Sequence, residues 1–140
     1  MSNLSINTGI KEFTLNDAVT IKINPTDSTF VKKLYGAFET LDKKQNEFKG
    51  DLALATPAEV FDICEKINAE MREILDNLFD VPVCDALFGS MNVYAMADGL
   101  PVWCNLLLAI IDETDANFAA EEKRMSSRVK KYTDKYKRRK

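Results

Sequence analysis

From position 11 the apolar residues of this chain alternate with polar ones. Phe13 and Leu15 form one such run and Val19, Ile21 and Ile23 a second, with Asn16-Asp17 between them. A period of two on either side of turn residues predicts a β-hairpin of two short strands. Two strands alone are marginal in water, so helices or another chain must cover the hairpin. Its open edges also suit strand addition by another chain. Ahead of it, residues 1–10 are small and polar and are expected to form a flexible N-terminus.

Asn24-Pro25-Thr26-Asp27 ends the second strand and caps a helix. Phe30, Leu34, Phe38 and Leu41 then recur at helical spacing as one apolar stripe, with Val31 and Tyr35 alongside. This first helix is expected to end near Phe48, before Gly50. Thr56-Pro57-Ala58-Glu59 is the sharpest local signal: an N-cap, a proline at the first helical position and a capping-box glutamate. The second helix runs to about Phe79 and is expected to bury Phe61, Cys64, Ile67, Met71, Ile74, Leu75 and Leu78. Asp80-Val81-Pro82 breaks it. A third helix is predicted over 83–96, containing Leu87, Phe88, Met91 and Tyr94. Asp98-Gly99-Leu100-Pro101 is the next break, and Pro101 starts a fourth helix.

That fourth helix is almost wholly apolar over 102–111. Such a run is the central helix of a bundle or a face buried in a partner. On the second reading Trp103, Leu107, Ile110 and Ile111 bind the partner. Residues 112–132 read as an exposed continuation and 133–140 as a frayed tail. The fold class is therefore mainly α (α+β), a four- to five-helix domain with a short N-terminal β-hairpin. The domain spans 11–121, and a basic C-terminal helix or tail spans 122–140.

Charge divides the chain more sharply than its net of −3 suggests. Residues 123–140 hold ten Lys or Arg and one acid, Asp134; the 122 residues before them hold nine basic and 21 acidic residues. Lys130, Lys131, Lys135, Lys137, Arg138, Arg139 and Lys140 make up most of this basic tail. It suits three roles: binding nucleic acid, with Tyr132 and Tyr136 for stacking; pairing with the acidic body of its own or another copy; or serving as a solubilising segment. Nucleic acid is disfavoured because the acidic body repels phosphates.

The chain has no histidine, which removes imidazole bases, Ser-His or Cys-His nucleophiles and imidazole metal ligands. Three cysteines spaced by twenty residues suit neither a disulfide framework nor a metal cluster, and read as core. The acids at Asp112, Glu113, Asp115, Glu121 and Glu122 have no apolar stripe beneath them and read as a solvated face. Gly89 and Gly99 fit no phosphate-loop pattern and read as packing or turn positions. No catalytic, cofactor or metal site is expected, and an enzyme is the least favoured class. The N-terminus lacks the charge and apolar run of a secretory signal, and the apolar run at 106–111 falls far short of the ~20 residues of a membrane span. A cytoplasmic protein is expected.

The stretch from Phe88 to Trp103, FGSMNVYAMADGLPVW, together with the terminal KYKRRK, resembles small tail proteins of long-tailed phages and prophages of Gram-positive bacteria. Within that group the chain looks like the tail assembly chaperones. The resemblance implies a factor of the host cytoplasm that binds the tape measure protein or the tail tube protein during tail polymerisation. It also implies absence from the finished virion and, often, a longer form made by ribosomal frameshifting. It carries no functional residue onto a position of this chain. A homo-oligomer is expected. The rival readings are a structural tail-completion or connector protein, and a small nucleic-acid-binding regulator using the basic tail.

Overall fold

In a computed structural model that describes residues 1–139, each of the two N-terminal runs forms a strand. They are β1 (Lys11–Leu15) and β2 (Val19–Ile23), paired antiparallel with Phe13 opposite Ile21 and Leu15 opposite Val19. Asn16 and Asp17 turn the chain with φ of 51° and 54°, left-handed values that Asn and Asp tolerate better than most residues. Ile21 and Ile23 are buried in the main core. The preceding residues lie outside regular structure and are tied to the end of β2, where Asn24 Nδ2 donates to Thr8 O at 2.8 Å. Gly9 sits there at φ +74°, where a residue with a side chain is strained, and a Cβ on it would press on Asn24 Nδ2 at 2.8 Å.

Helix α1 (Ser28–Leu54) starts at Asp27, whose carboxylate accepts the Thr29 N–H at 3.0 Å. It buries Leu34, Leu41 and Phe48, one residue every second turn. It does not stop before Gly50 but passes through it. A helical glycine costs only about 1 kcal/mol, and α1 lies antiparallel to α2 at this point. The helix ends because Pro57 disfavours a helical conformation in the residue before it; Ala55 and Thr56 are both extended.

Helix α2 (Pro57–Phe79) follows. Its capping box is a variant of the expected one: the Thr56 hydroxyl donates to the Glu59 carboxylate at 2.7 Å and makes no cap bond to a backbone amide. Met71, Leu75, Leu78 and Phe79 are buried. Phe61, expected on the buried face, is exposed, because the core ends below the first two turns of α2. The helix closes at Asp80, which is left-handed at φ 57°.

The third helix is shorter than its sequence suggests. Helix α3 (Val83–Phe88) ends at Gly89, whose φ of 56° and ψ of −125° suit no side-chain-bearing residue. Residues up to 96 are therefore not helical. Two-residue strands β3 (Met96–Ala97) and β4 (Leu100–Pro101) pair about Asp98-Gly99, both at positive φ. Helix α4 (Val102–Arg139) begins at once and runs unbroken for 38 residues. Its first turns pass through the core, so the chain is mainly α-helical with a short N-terminal β-hairpin. No helix among the described residues is long and apolar enough to cross a membrane.

Candidate interaction surface

The four residues read as partner-binding lie within the chain's own core. Trp103, Leu107 and Ile110 are 2%, 0% and 2% exposed, and Ile111 packs half-buried against the same cluster. The apolar run of α4 is the central helix, and the buried Trp103, Leu107 and Ile110 offer no face to another molecule. Trp103 stacks edge-on to Phe38, and its indole N–H donates to Gln45 Oε1 at 2.6 Å.

Beside this helix, a polar stripe on α2 fixes the segment 83–93. Asn68, Arg72 and Asp76 follow at one-turn intervals. Asn68 Oδ1 accepts the Val93 N–H at 2.9 Å and Asp76 Oδ1 the Cys84 N–H at 3.0 Å. Between them Arg72 donates to Gly89 O at 2.5 Å and to Met91 O at 2.6 Å. The loop after α3 is thus stitched to α2 by side chains that apolar periodicity does not reveal.

The stitched loop borders an apolar groove. Leu15 at the hairpin turn, Leu87 and Phe88 of α3, and Val102 and Leu106 of α4 line it. Asn105, on its rim, donates to Ala97 O at 2.9 Å and so joins the groove to the β3–β4 hairpin. Met91 and Met96 stand 50% and 64% exposed on this segment, and Leu100 is exposed beside them.

The second feature is the far half of α4. Thr114 and Asn117 are its last buried residues among those described; Thr114 bonds back to Ile110 O, and Asn117 Oδ1 accepts from Lys11 Nζ. Beyond this polar end to the core, the helix face that carries Trp103, Leu107, Ile110 and Thr114 continues as Phe118, Met125 and Val129, all exposed. Asp112, Glu113, Asp115, Glu121 and Glu122 are themselves exposed, a solvated face as expected, with this apolar strip alongside them. Lys130, Lys131 and Lys135 are exposed on this arm. Lys137, Arg138 and Arg139 fall on its last turn, and Lys140 lies outside the described residues.

The cysteines sit where small apolar side chains belong: Cys84 and Cys104 are buried and Cys64 is half-buried. Burial pushes the Cys84 thiol up from 9.0 to about 12, and the neighbouring Asp76 carboxylate adds to this. Burial likewise raises Cys104, and Tyr94 to about 12. No group of three or more His, Cys, Asp or Glu among the described residues is placed to hold a metal.

A thiol whose pKa is higher folded than unfolded stabilises the fold fully below the unfolded pKa and loses that contribution as pH climbs towards the folded one. Between pH 9 and 10.5 the Cys84 contribution should fall by about 2 kcal/mol, at about 1.4 kcal/mol per unit. Urea unfolding across that window should show a steeper alkaline loss for the native chain than for Cys84→Ala. Parallel slopes would mean that Cys84 ionises as freely folded as unfolded.

Compared with protein-family models, with curated proteins and with solved structures, the chain matches none.

Proposed function

We propose that this chain is a tail assembly chaperone, a non-enzymatic factor that holds an apolar segment of the tape measure or tail tube protein in the host cytoplasm until the growing tail takes it. One coincidence carries the reading. The stretch that gives the family resemblance, 88–103, also supplies Phe88 and Val102 to an apolar groove and leaves Met91, Met96 and Leu100 exposed. Methionine suits such a role, since its flexible, polarizable side chain adapts to more than one apolar partner. The work done is mass action: the groove covers partner surface that would otherwise aggregate, and releases it when polymerisation offers a better contact.

Co-expression with the tape measure and tail tube proteins tests this. The chain should raise the soluble yield of at least one of them and copurify with it. Met91→Glu combined with Met96→Glu should weaken that complex by at least about tenfold, roughly 1.4 kcal/mol. Both side chains are exposed, so the melting temperature should move by no more than about 3 °C. Undiminished binding by the double variant would remove the exposed methionines of 88–103 from the function. Mass spectrometry of finished particles separates the structural rival: a chaperone is absent from them, whereas a tail-completion or connector protein persists.

A further inference from the structure

We propose that the basic arm of α4 docks into the acidic groove between α1 and α2 of a second copy, so that copies of this chain join head to tail. The inference goes beyond the partner reading above and uses a different surface.

The two features lie at opposite poles of the molecule. Trp103, near the start of α4, meets Phe38 and Gln45 of α1. Farther along α4, Asn117 bonds to Lys11 and, with Arg124 and Met125, faces Pro25 and Thr26, just ahead of α1. Helix α4 therefore runs antiparallel to α1, and its arm leaves where α1 begins. The turn joining α1 to α2 is at the other end of α1, about 40 Å away at the helical rise. A straight helix pointing away from its own α1–α2 turn cannot fold back onto it. A second copy can offer that turn.

At that far pole the core gives out while the helices continue. Phe48 is the last buried residue of α1; six residues on, Leu54 is 89% exposed, and Phe61 on α2 is 76% exposed. A groove between the helices is floored by Phe48, Ile63 and Ile67 and edged by the acids Glu47, Asp51 and Glu59 and by Lys66. The Lys44–Glu70 pair, at 3.3 Å, spans α1 and α2 on this groove. Over 47–66 the sequence places five acids, Glu47, Asp51, Glu59, Asp62 and Glu65, against Lys49 and Lys66.

The arm is the complement of this groove. It carries an apolar strip, Met125 and Val129, with Lys123, Lys130, Lys131 and Lys135 on the sides and back of the same helix, roughly 100–140° from the strip. An amphipathic helix laid in a groove places the strip on the apolar floor, and the long lysine side chains reach back from the sides of the helix towards the acidic banks. Opposite charges at opposite poles make the contact heterologous. Each copy keeps one free arm and one free groove, and assembly continues until the rotation closes a ring or leaves an open chain. Arm-to-arm and groove-to-groove pairings bring like charges together and are disfavoured.

Sedimentation velocity on the purified full-length chain tests the inference. Mass should grow with concentration at low salt and return to that of a single copy near about 1 M salt, where the screening length falls to about 3 Å. Individual exposed charge pairs are weak, so several must be changed together. Reversing the groove with Glu47→Lys and Asp51→Lys should weaken association at least about tenfold. Reversing the arm with Lys123→Glu, Lys130→Glu, Lys131→Glu and Lys135→Glu should do the same. An equimolar mixture of the two variants should assemble again, because each arm then meets a groove of opposite charge. That recovery also excludes misfolding of either variant. A native chain that stays at the mass of one copy at every concentration overturns the proposal, as does a mixture that fails to assemble. An arm variant that self-associates normally but no longer binds a single-stranded oligonucleotide also overturns it and assigns the arm to nucleic acid.

Discussion

Replacing Trp103 with alanine should lower the unfolding free energy by about 3–5 kcal/mol, the range for truncating a large buried aromatic. The indole is 2% exposed and sits among α1, the segment before β3 and the first turn of α4. Its ring lies edge-on to Phe38 at 5.3 Å and 68°, an arrangement worth about 0.5–1.5 kcal/mol beyond area burial. Its N–H satisfies Gln45, and its backbone N–H bonds to Val93 O at 3.1 Å. Truncation removes the first three of these contributions and leaves the backbone bond. A small domain has only about 5–15 kcal/mol of stability in total, so the variant should be close to unfolding at ordinary temperature. Trp103→Phe keeps one six-membered ring but loses the rest of the indole and its N–H, and should cost less than alanine, about 1–3 kcal/mol. Urea midpoints with unchanged slopes measure both changes. A Trp103→Ala chain as stable as the native one, but poor at binding a partner, would return the residue to the surface role that its apolar neighbourhood first suggested.

That reassignment shows where sequence stops being informative. Periodicity places Trp103, Leu107 and Ile110 on one helical face, but the same pattern describes a core helix and a docking helix. Only the third dimension shows α1 and the hairpins covering that face. The strands β1 and β2 and the starts of α1 and α2 were legible because turn residues, caps and a change of period coincide there. The β3–β4 hairpin was not, because strands of two residues carry no period. Its Asp98-Gly99 turn, a strong hairpin dipeptide, reads equally well as a helix break. Gly89 ends α3 through a backbone conformation, and Gly50 passes within a helix; nothing in the glycine itself distinguishes the two. The apolar groove draws Leu15, Phe88 and Leu106 from three separate elements, so no local window contains it. The charge split, by contrast, was plain from composition. What it lacked was the finding that the two charges leave the molecule at opposite ends.

The polar stripe on α2 leads to the second large effect. Arg72→Met should cost about 2–4 kcal/mol, and the loss should be concentrated in residues 89–101. The guanidinium reaches Asp85 at 3.0 Å as well as the carbonyls of Gly89 and Met91. Asp85 is 84% exposed while Arg72 is only 16% exposed. The ion pair is therefore screened and contributes little, at most about 1 kcal/mol. The two carbonyl bonds matter more, since charged hydrogen bonds are worth about 1.5–3 kcal/mol each. Part of the loss is offset, because Arg72 Nε is buried without a hydrogen-bond partner and methionine removes that donor. The order of effects is thus the test: Asp85→Ala should change the urea midpoint little, and Arg72→Met a great deal. Hydrogen exchange should speed up at the amides of Val93 and Val102, which close the segment onto α2 and onto Ala95. If Asp85→Ala costs as much as Arg72→Met, the ion pair and not the carbonyl clamp holds the loop. The consequence for binding follows from preorganisation. A loosened 89–101 segment must be reordered by any partner that uses Met91 and Met96, so the Arg72 variant should weaken that complex even though Arg72 touches no partner.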